Sequence, residues 1–153
     1  MSLIPLSRRS PKLAARPVRI LSIAGSDSGG GAGIQADIKT ITALGGYAMT
    51  AVTAITVQNT VGVSAVHPVP IDIVTAQIEA VITDLGVDAI KTGMIPDAAM
   101  IEAVFETINR LAPDVPRIVD PVMVATSGDR LIAEDAVGAL KTHSVPGSIL
   151  TPN

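Results

Sequence analysis

An α/β domain, with helices covering both faces of a mostly parallel sheet, is the fold class this sequence predicts, and three observations predict it. Short Val/Ile-rich runs alternate with amphipathic stretches from residue 18 onward, the pattern of successive right-handed βαβ units. The core-forming residues are aliphatic: one Phe, one Tyr and no Trp stand among 48% hydrophobic residues, and strands buried on both faces read as continuous aliphatic runs. At 153 residues with 16% charged, the chain is long enough for one buried core and too apolar for disorder. The pattern gives no internal repeat and no second domain.

The run VRILSIAG (18–25) is β-rich and broken by glycine, which predicts a buried strand ending near Ala24. Ile34, Ile38, Ile41 and Leu44 recur at three- and four-residue spacing, so 34–44 is predicted as a helix with that face on the sheet, closed by Gly45 and Gly46. AMTAVTAITV (48–57) is the second strand, and QNTVGVSAVHPVP a connection with a short strand at 61–66. After Pro70, the residues Ile71, Val74, Ile78, Val81, Ile82 and Leu85 mark a longer helix with Gly86 just past its end. DAIKTGM (88–94) is a third core strand, and Asp97 is placed to cap a helix that buries Met100, Ile101, Val104, Phe105 and Ile108. RIVDPVMV (117–124) gives a fourth strand, 134–142 a further helix, and SILTPN (148–153) a last strand.

Charge is uneven along the chain. Residues 1–17 hold Arg8, Arg9, Lys12 and Arg16 and no acid, while the rest carries seven basic against fourteen acidic residues, a net of −7. An acidic body argues against binding nucleic acid through phosphate neutralisation, and the scarcity of aromatics argues against a stacking platform for single strands. The basic leader has three prolines and no apolar run long enough for a signal peptide. It reads as a disordered extension or a misassigned start, with an organelle transit peptide as the alternative. No stretch reaches the roughly 18 apolar residues of a membrane span, and the absence of cysteine gives no disulfide framework. The expectation is a cytoplasmic protein that binds neither nucleic acid nor membrane.

In parallel sheets ligands gather outside the carboxyl ends of the strands, which directs attention to residues 26–33, Gln58, Asn59, 91–94, 120–123 and Asn153. The stretch IAGSDSGGGAGIQAD (23–37) carries glycines at 25, 29, 30, 31 and 33. Within it GAGIQA (31–36) matches the dinucleotide pattern G-x-G-x-x-A, but GSDSGG intervenes before the turn and no acid closes the second strand to hold a ribose. A Walker A loop is excluded because no Lys-Ser or Lys-Thr follows the glycines. The glycines either allow a wide turn or let backbone approach a ligand closely. With Ser26, Asp27 and Ser28 among them they exceed what a turn requires, so a ligand cradle is expected. Asp37, one turn into the helix, either favours the helix dipole or reaches a ligand over the helix end. Lys91 lies inside a strand, reads as an ion-pair partner and is not carried as a site residue. His67 and His143 fall in loops and read as surface residues.

The motifs AGSDSGGGAGIQADIKT, TAITVQNTVGV, IKTGM, DPVMVATSGDRL and LTPN stand in that order. Together, over residues 18–153, they resemble the hydroxymethylpyrimidine/phosphomethylpyrimidine kinases of thiamin biosynthesis, in the ribokinase-like superfamily. The resemblance implies a three-layer α/β/α sandwich around a mainly parallel sheet, incomplete at its C-terminus. It implies ATP- and Mg2+-dependent phosphorylation of 4-amino-5-hydroxymethyl-2-methylpyrimidine and then of its monophosphate. It further implies that the pyrimidine contacts Gly25, Ala32, Asp37, Gln58, Met94 and Val122, and that Asp120 and Asn153 lie at the nucleotide, Asp120 beside Mg2+. A homo-oligomer stays open for the complete enzyme. The chemistry agrees, since an aminopyrimidine edge presents donors and acceptors that Asp37 and the Gln58 amide match, while Met94 and Val122 offer apolar walls.

The family's general base and anion hole lie in a glycine-rich loop beyond Asn153, and of its N-x-x-E magnesium motif the chain carries the first residue. The resemblance therefore implies a chain without the ATP-binding third of the fold, and the catalytic base stays unassigned. Thr126 stands where some relatives carry Lys before Ser127 and Gly128. Two alternatives remain: a relative acting on pyridoxal or pyridoxine, and a non-catalytic pyrimidine-binding or interaction protein.

Overall fold

The computed structural model describes residues 16–122 and 136–152. Most of the basic leader, Thr126, Ser127, Gly128 and Asn153 lie outside the described residues. The elements are β1 (Arg19–Ser26), α1 (Gly33–Ala43), β2 (Tyr47–Gln58), β3 (Val63–Pro68), α2 (Ile71–Asp84), β4 (Ala89–Thr92), α3 (Ala98–Leu111), β5 (Arg117–Val119), α4 (Ala136–Ala139) and β6 (Ile149–Leu150). They form a six-stranded sheet in the order β3-β2-β1-β4-β5-β6. Every neighbouring pair is parallel except β2 and β3.

Strand alternation sorts the side chains of β1 between two layers. Leu21 and Ile23 are fully buried in the main core with Val74 and Ile78 of α2 and Phe105 and Ile108 of α3. Ser22, between them, turns to the other face, where α1 packs against β1 and β2. The result is the three-layer sandwich. In α3 the apolar positions fall on one stripe and are buried, and Asp97 Oδ1 accepts the Met100 N–H at 2.9 Å, satisfying a free donor of the first turn.

Several boundaries differ from the sequence expectation, each for a local reason. β1 runs on to Ser26, because an irregularity between Ala24 and Ser26 lets the ladder resume against Ile55. On α1 the buried apolar residues are Ile34 and Ile41, while Ile38 is partly exposed and Leu44 is 84% exposed. The three-then-four spacing is completed by Asp37, so a carboxylate takes the slot that periodicity gave to a hydrocarbon. The short strand expected at 61–66 is β3, which pairs antiparallel with β2 as an edge hairpin and carries the exposed His67 on a strand instead of a loop. Where β3 does not reach, the Gln77 amide stands in for it, accepting the Val52 N–H at 3.0 Å and donating to the Val52 carbonyl at 3.3 Å. β4 starts at Ala89 because the Asp88 carboxylate is engaged by the Arg19 backbone N–H and guanidinium. The strand at 117–124 is shorter, since the chain leaves the sheet at Asp120 and Pro121. The helix expected at 134–142 is α4 continuing into a π-type turn, Leu140–Ser144, which holds His143.

Candidate acceptor site

The connection from β1 through α1 places β2 on one side of β1, and the connection through α2 places β4 on the other. Strand order reverses there, which opens a crevice at the carboxyl ends of β1 and β4. The candidate residues come from the elements lining that reversal.

The glycine loop between β1 and α1 wraps around its own anion. The Asp27 carboxylate, 6% exposed, accepts backbone N–H groups from Gly29 at 2.7 Å, Gly31 at 2.9 Å and Ala32 at 2.8 Å. Burial works to raise its pKa, but the N–H groups of Gly29, Ala32, Gly31 and Gly30 outweigh burial and hold it below the ordinary carboxylate value. Gln35 closes the loop from α1, accepting the Asp27 N–H and donating to Ser26 Oγ. Ser28 ties it to β2 through the backbone of Gln58. Gly33, at φ +56°, starts α1 so close to β1 that an added Cβ would lie 2.3 Å from the Gly25 carbonyl oxygen, a position that only glycine fills. The cradle expected from the glycines is thereby amended: these N–H donors are committed to Asp27, and what faces outward is the loop's shape.

Asp37 neither caps α1 nor faces its dipole end. Its Oδ2 accepts from Ser22 Oγ at 2.6 Å and from Lys91 Nζ at 3.2 Å, while Oδ1 accepts from no described residue. Lys91 extends from β4, in register between Ser22 of β1 and Ile118 of β5, and also lies 3.9 Å from Asp120 Oδ2. Asp120, at the end of β5, has a buried Oδ1 with no hydrogen-bond partner among the described residues. Burial pushes the Asp120 pKa up, Lys91 opposes this, and Asp37 adds to it. The expectation that Lys91 is an ion-pair partner is met, with the further fact that its partners are the two acids that the resemblance implies for the site. Ser22 had no motif to flag it beyond being a hydroxyl inside an apolar strand.

The apolar wall is set by Gly25 and Met94. A Cβ at Gly25 would fall 2.7 Å from Met94 Cε, so the missing side chain is what lets Met94 lie across the end of β1. The Met94 carbonyl accepts from the buried Thr53 Oγ1 at 2.7 Å. Gln58 closes β2 half-buried, its Oε1 accepting from Thr56 Oγ1 at 3.3 Å, and its amide nitrogen donates to no described residue. Ala32, exposed, precedes α1, and Val122 packs against the core just past Asp120. The structure thus joins Gly25 to Met94, and Asp37 to Asp120 through Lys91. Gln58 and Ala32 lie along the rim made by the glycine loop, and Asn153 falls outside the described residues.

Among the described residues no group of three or more His, Cys, Asp or Glu could hold a metal by itself. Mg2+ that arrives on a nucleotide needs one or two carboxylates, with phosphates and water completing its shell. The orphaned Asp120 Oδ1 is a donor of that kind, so the residues present fit such an ion. Among the described residues no helix is long and apolar enough to cross a membrane.

A model of the phosphomethylpyrimidine kinase family matches residues 27–153. A hydroxymethylpyrimidine/phosphomethylpyrimidine kinase of Mycobacterium leprae is 50% identical over 145 residues, covering 94% of this chain and 52% of its own length. A crystal structure of a phosphomethylpyrimidine kinase from Clostridium difficile superposes with a TM-score of 0.82 at 44% identity, covering 89% of this chain and 59% of that one. A pyridoxal kinase from Staphylococcus aureus in complex with AMP-PCP and pyridoxal superposes with a TM-score of 0.77 at 35% identity, covering 91% and 49%. The chain spans about half the length of the curated relatives it matches.

Proposed function

Since the chain belongs to the phosphomethylpyrimidine kinase family, we propose that the protein phosphorylates a hydroxymethyl-bearing aminopyrimidine of thiamin biosynthesis, and then its monophosphate, with ATP and Mg2+. Residues 16–122 supply the acceptor side of that site. The observation that carries this reading is Asp37: its Oδ2 is held by Ser22 and Lys91 at the strand-order reversal, and its Oδ1, which accepts from no described residue, is the oxygen that would accept from an exocyclic amine.

Phosphoryl transfer asks for positioning and charge stabilisation more than for covalent chemistry by the protein. Asp37 Oδ1 accepts the amine, the Gln58 amide completes the heteroaromatic edge, and Met94, with Val122, covers the ring. Gly25, whose missing side chain makes room for Met94, lines the ring beside it, and Ala32 borders the ring at the start of α1. Asp120 is the carboxylate that would hold the Mg2+, and Asn153 extends the nucleotide side on the strength of the motif. The nucleotide with its Mg2+ supplies the transferable γ-phosphoryl group and neutralises its charge.

A pyridoxal acceptor is the second reading, favoured by the likeness to the Staphylococcus aureus enzyme at 35% identity. The higher identity of 50% to a hydroxymethylpyrimidine/phosphomethylpyrimidine kinase supports the pyrimidine. Calorimetric titration of the chain with 4-amino-5-hydroxymethyl-2-methylpyrimidine and with pyridoxal tests this. The pyrimidine should bind with the higher affinity; tighter binding of pyridoxal, or of neither, would overturn the assignment.

A further inference from the structure

We propose that Lys91 is a positioning residue of the acceptor site, whose ammonium holds one oxygen of Asp37 and one of Asp120 and leaves the second oxygen of each for ligand. This rests on the acceptor reading above. Lys91 Nζ lies 3.2 Å from Asp37 Oδ2 and 3.9 Å from Asp120 Oδ2. The side chains of the three residues are between 18% and 27% exposed, so solvent only partly screens them. Two carboxylates converging from a helix and a strand end repel one another unless a cation stands between them, and among the described residues Lys91 is the cation that bridges this pair.

The surroundings are built for that ammonium. Lys91 shares its face of β4 with Gly93, two residues on, where an added Cβ would fall 3.1 Å from Lys91 Nζ and 3.0 Å from Ala24 Cβ. Glycine there keeps the ammonium's space open. Ser22 Oγ donates to the same Asp37 Oδ2 at 2.6 Å, so two donors hold one oxygen, while no described residue donates to the other. On the opposite side Asp120 Oδ1 is left without a partner among the described residues.

The test is calorimetric titration with 4-amino-5-hydroxymethyl-2-methylpyrimidine, alongside thermal melting, of the unsubstituted chain, Lys91→Met and Lys91→Arg. Lys91→Met should weaken pyrimidine binding by about tenfold or more, the loss of a charge-assisted contact network, and Lys91→Arg, which keeps the charge, should recover most of the affinity. If Lys91→Met does not fold, Gly93→Ala provides the same test with every charge intact, because it crowds the ammonium, and it should also weaken binding. Unchanged affinity in Lys91→Met or, failing its folding, in Gly93→Ala overturns the proposal and leaves the assigned function standing. Equal loss in Lys91→Met and Lys91→Arg does the same. No pyrimidine binding by the unsubstituted chain overturns both.

Discussion

Replacing Asp27 with alanine removes the anion around which the glycine loop is wrapped. Three backbone N–H groups point at its carboxylate at 2.7–2.9 Å, and hydrogen bonds to a charged acceptor contribute roughly 1.5–3 kcal/mol each. The gross figure is reduced because Gly29, Gly31 and Ala32 are themselves exposed, so water replaces part of what is lost. A net cost of about 2–3 kcal/mol is expected, or a fall of roughly 4–12 °C in Tm for a chain of this size. Asp27→Asn keeps one carbonyl acceptor and should lose about half as much. The sign with pH follows from the lowered pKa. Between the folded and unfolded values the unfolded chain holds more protons, so this stabilisation is complete above the unfolded value, about 3.9, and fades as pH falls through the folded one. Thermal melts monitored by circular dichroism should show the gap between unsubstituted chain and Asp27→Ala narrowing below about pH 4. An Asp27→Ala Tm within about 1 °C of the unsubstituted chain at pH 7 would show that this carboxylate does not organise the loop.

Asp120→Asn removes a carboxylate that is partly buried, faces Asp37 and leaves Oδ1 without a partner among the described residues. It should raise Tm at pH 7 by roughly 2–4 °C, the equivalent of about 1 kcal/mol, and a lower Tm would show that its pairing with Lys91 outweighs its burial. Gly33→Ala forces a Cβ to within 2.3 Å of the Gly25 carbonyl oxygen at positive φ, so denaturant titration should show a loss of at least about 3 kcal/mol or no cooperative fold; native-like stability would contradict the close seating of α1 on β1. Gln58→Ala removes a half-buried amide at the end of β2 and should weaken pyrimidine binding by about tenfold with little change in Tm. Equal affinity in a titration would remove Gln58 from the acceptor site.

The fold was legible where the sequence kept simple periods. The aliphatic runs gave the core strands, and the cap at Asp97 with the stripe from Met100 to Ile108 gave α3 and its buried face. What escaped were features decided by tertiary partners. The antiparallel pairing of β3 depends on the edge of β2, which no local pattern encodes. Ile38 and Leu44 carried the helical period, yet Asp37 took the inward slot because Ser22 and Lys91 supply donors there. At the site, Asp120 stood out as a carboxylate just past an apolar run, where β5 does end and Lys91 lies near it, and the loop's surplus of glycine and polar residues, more than a turn requires, pointed to a ligand cradle. The sequence could not show that Asp27 fills that turn, since an anion-binding loop looks the same whether its anion is a ligand or its own side chain. A lysine inside an apolar strand signals a counter-charge, but which acids supply it is settled only when α1 and β5 are brought beside β4.

On this reading the carboxyl ends of β1, β2, β4 and β5 form an acceptor site for an aminopyrimidine. The most direct test is amide chemical-shift mapping by 15N–1H NMR during titration with 4-amino-5-hydroxymethyl-2-methylpyrimidine. Saturable shifts should concentrate at Gly25, Ala32, Asp37, Gln58, Met94 and Val122, with the Arg19–Asp88 end of the sheet unmoved. Shifts concentrated at that opposite end, or no saturable shifts at the strand-order reversal, would contradict it.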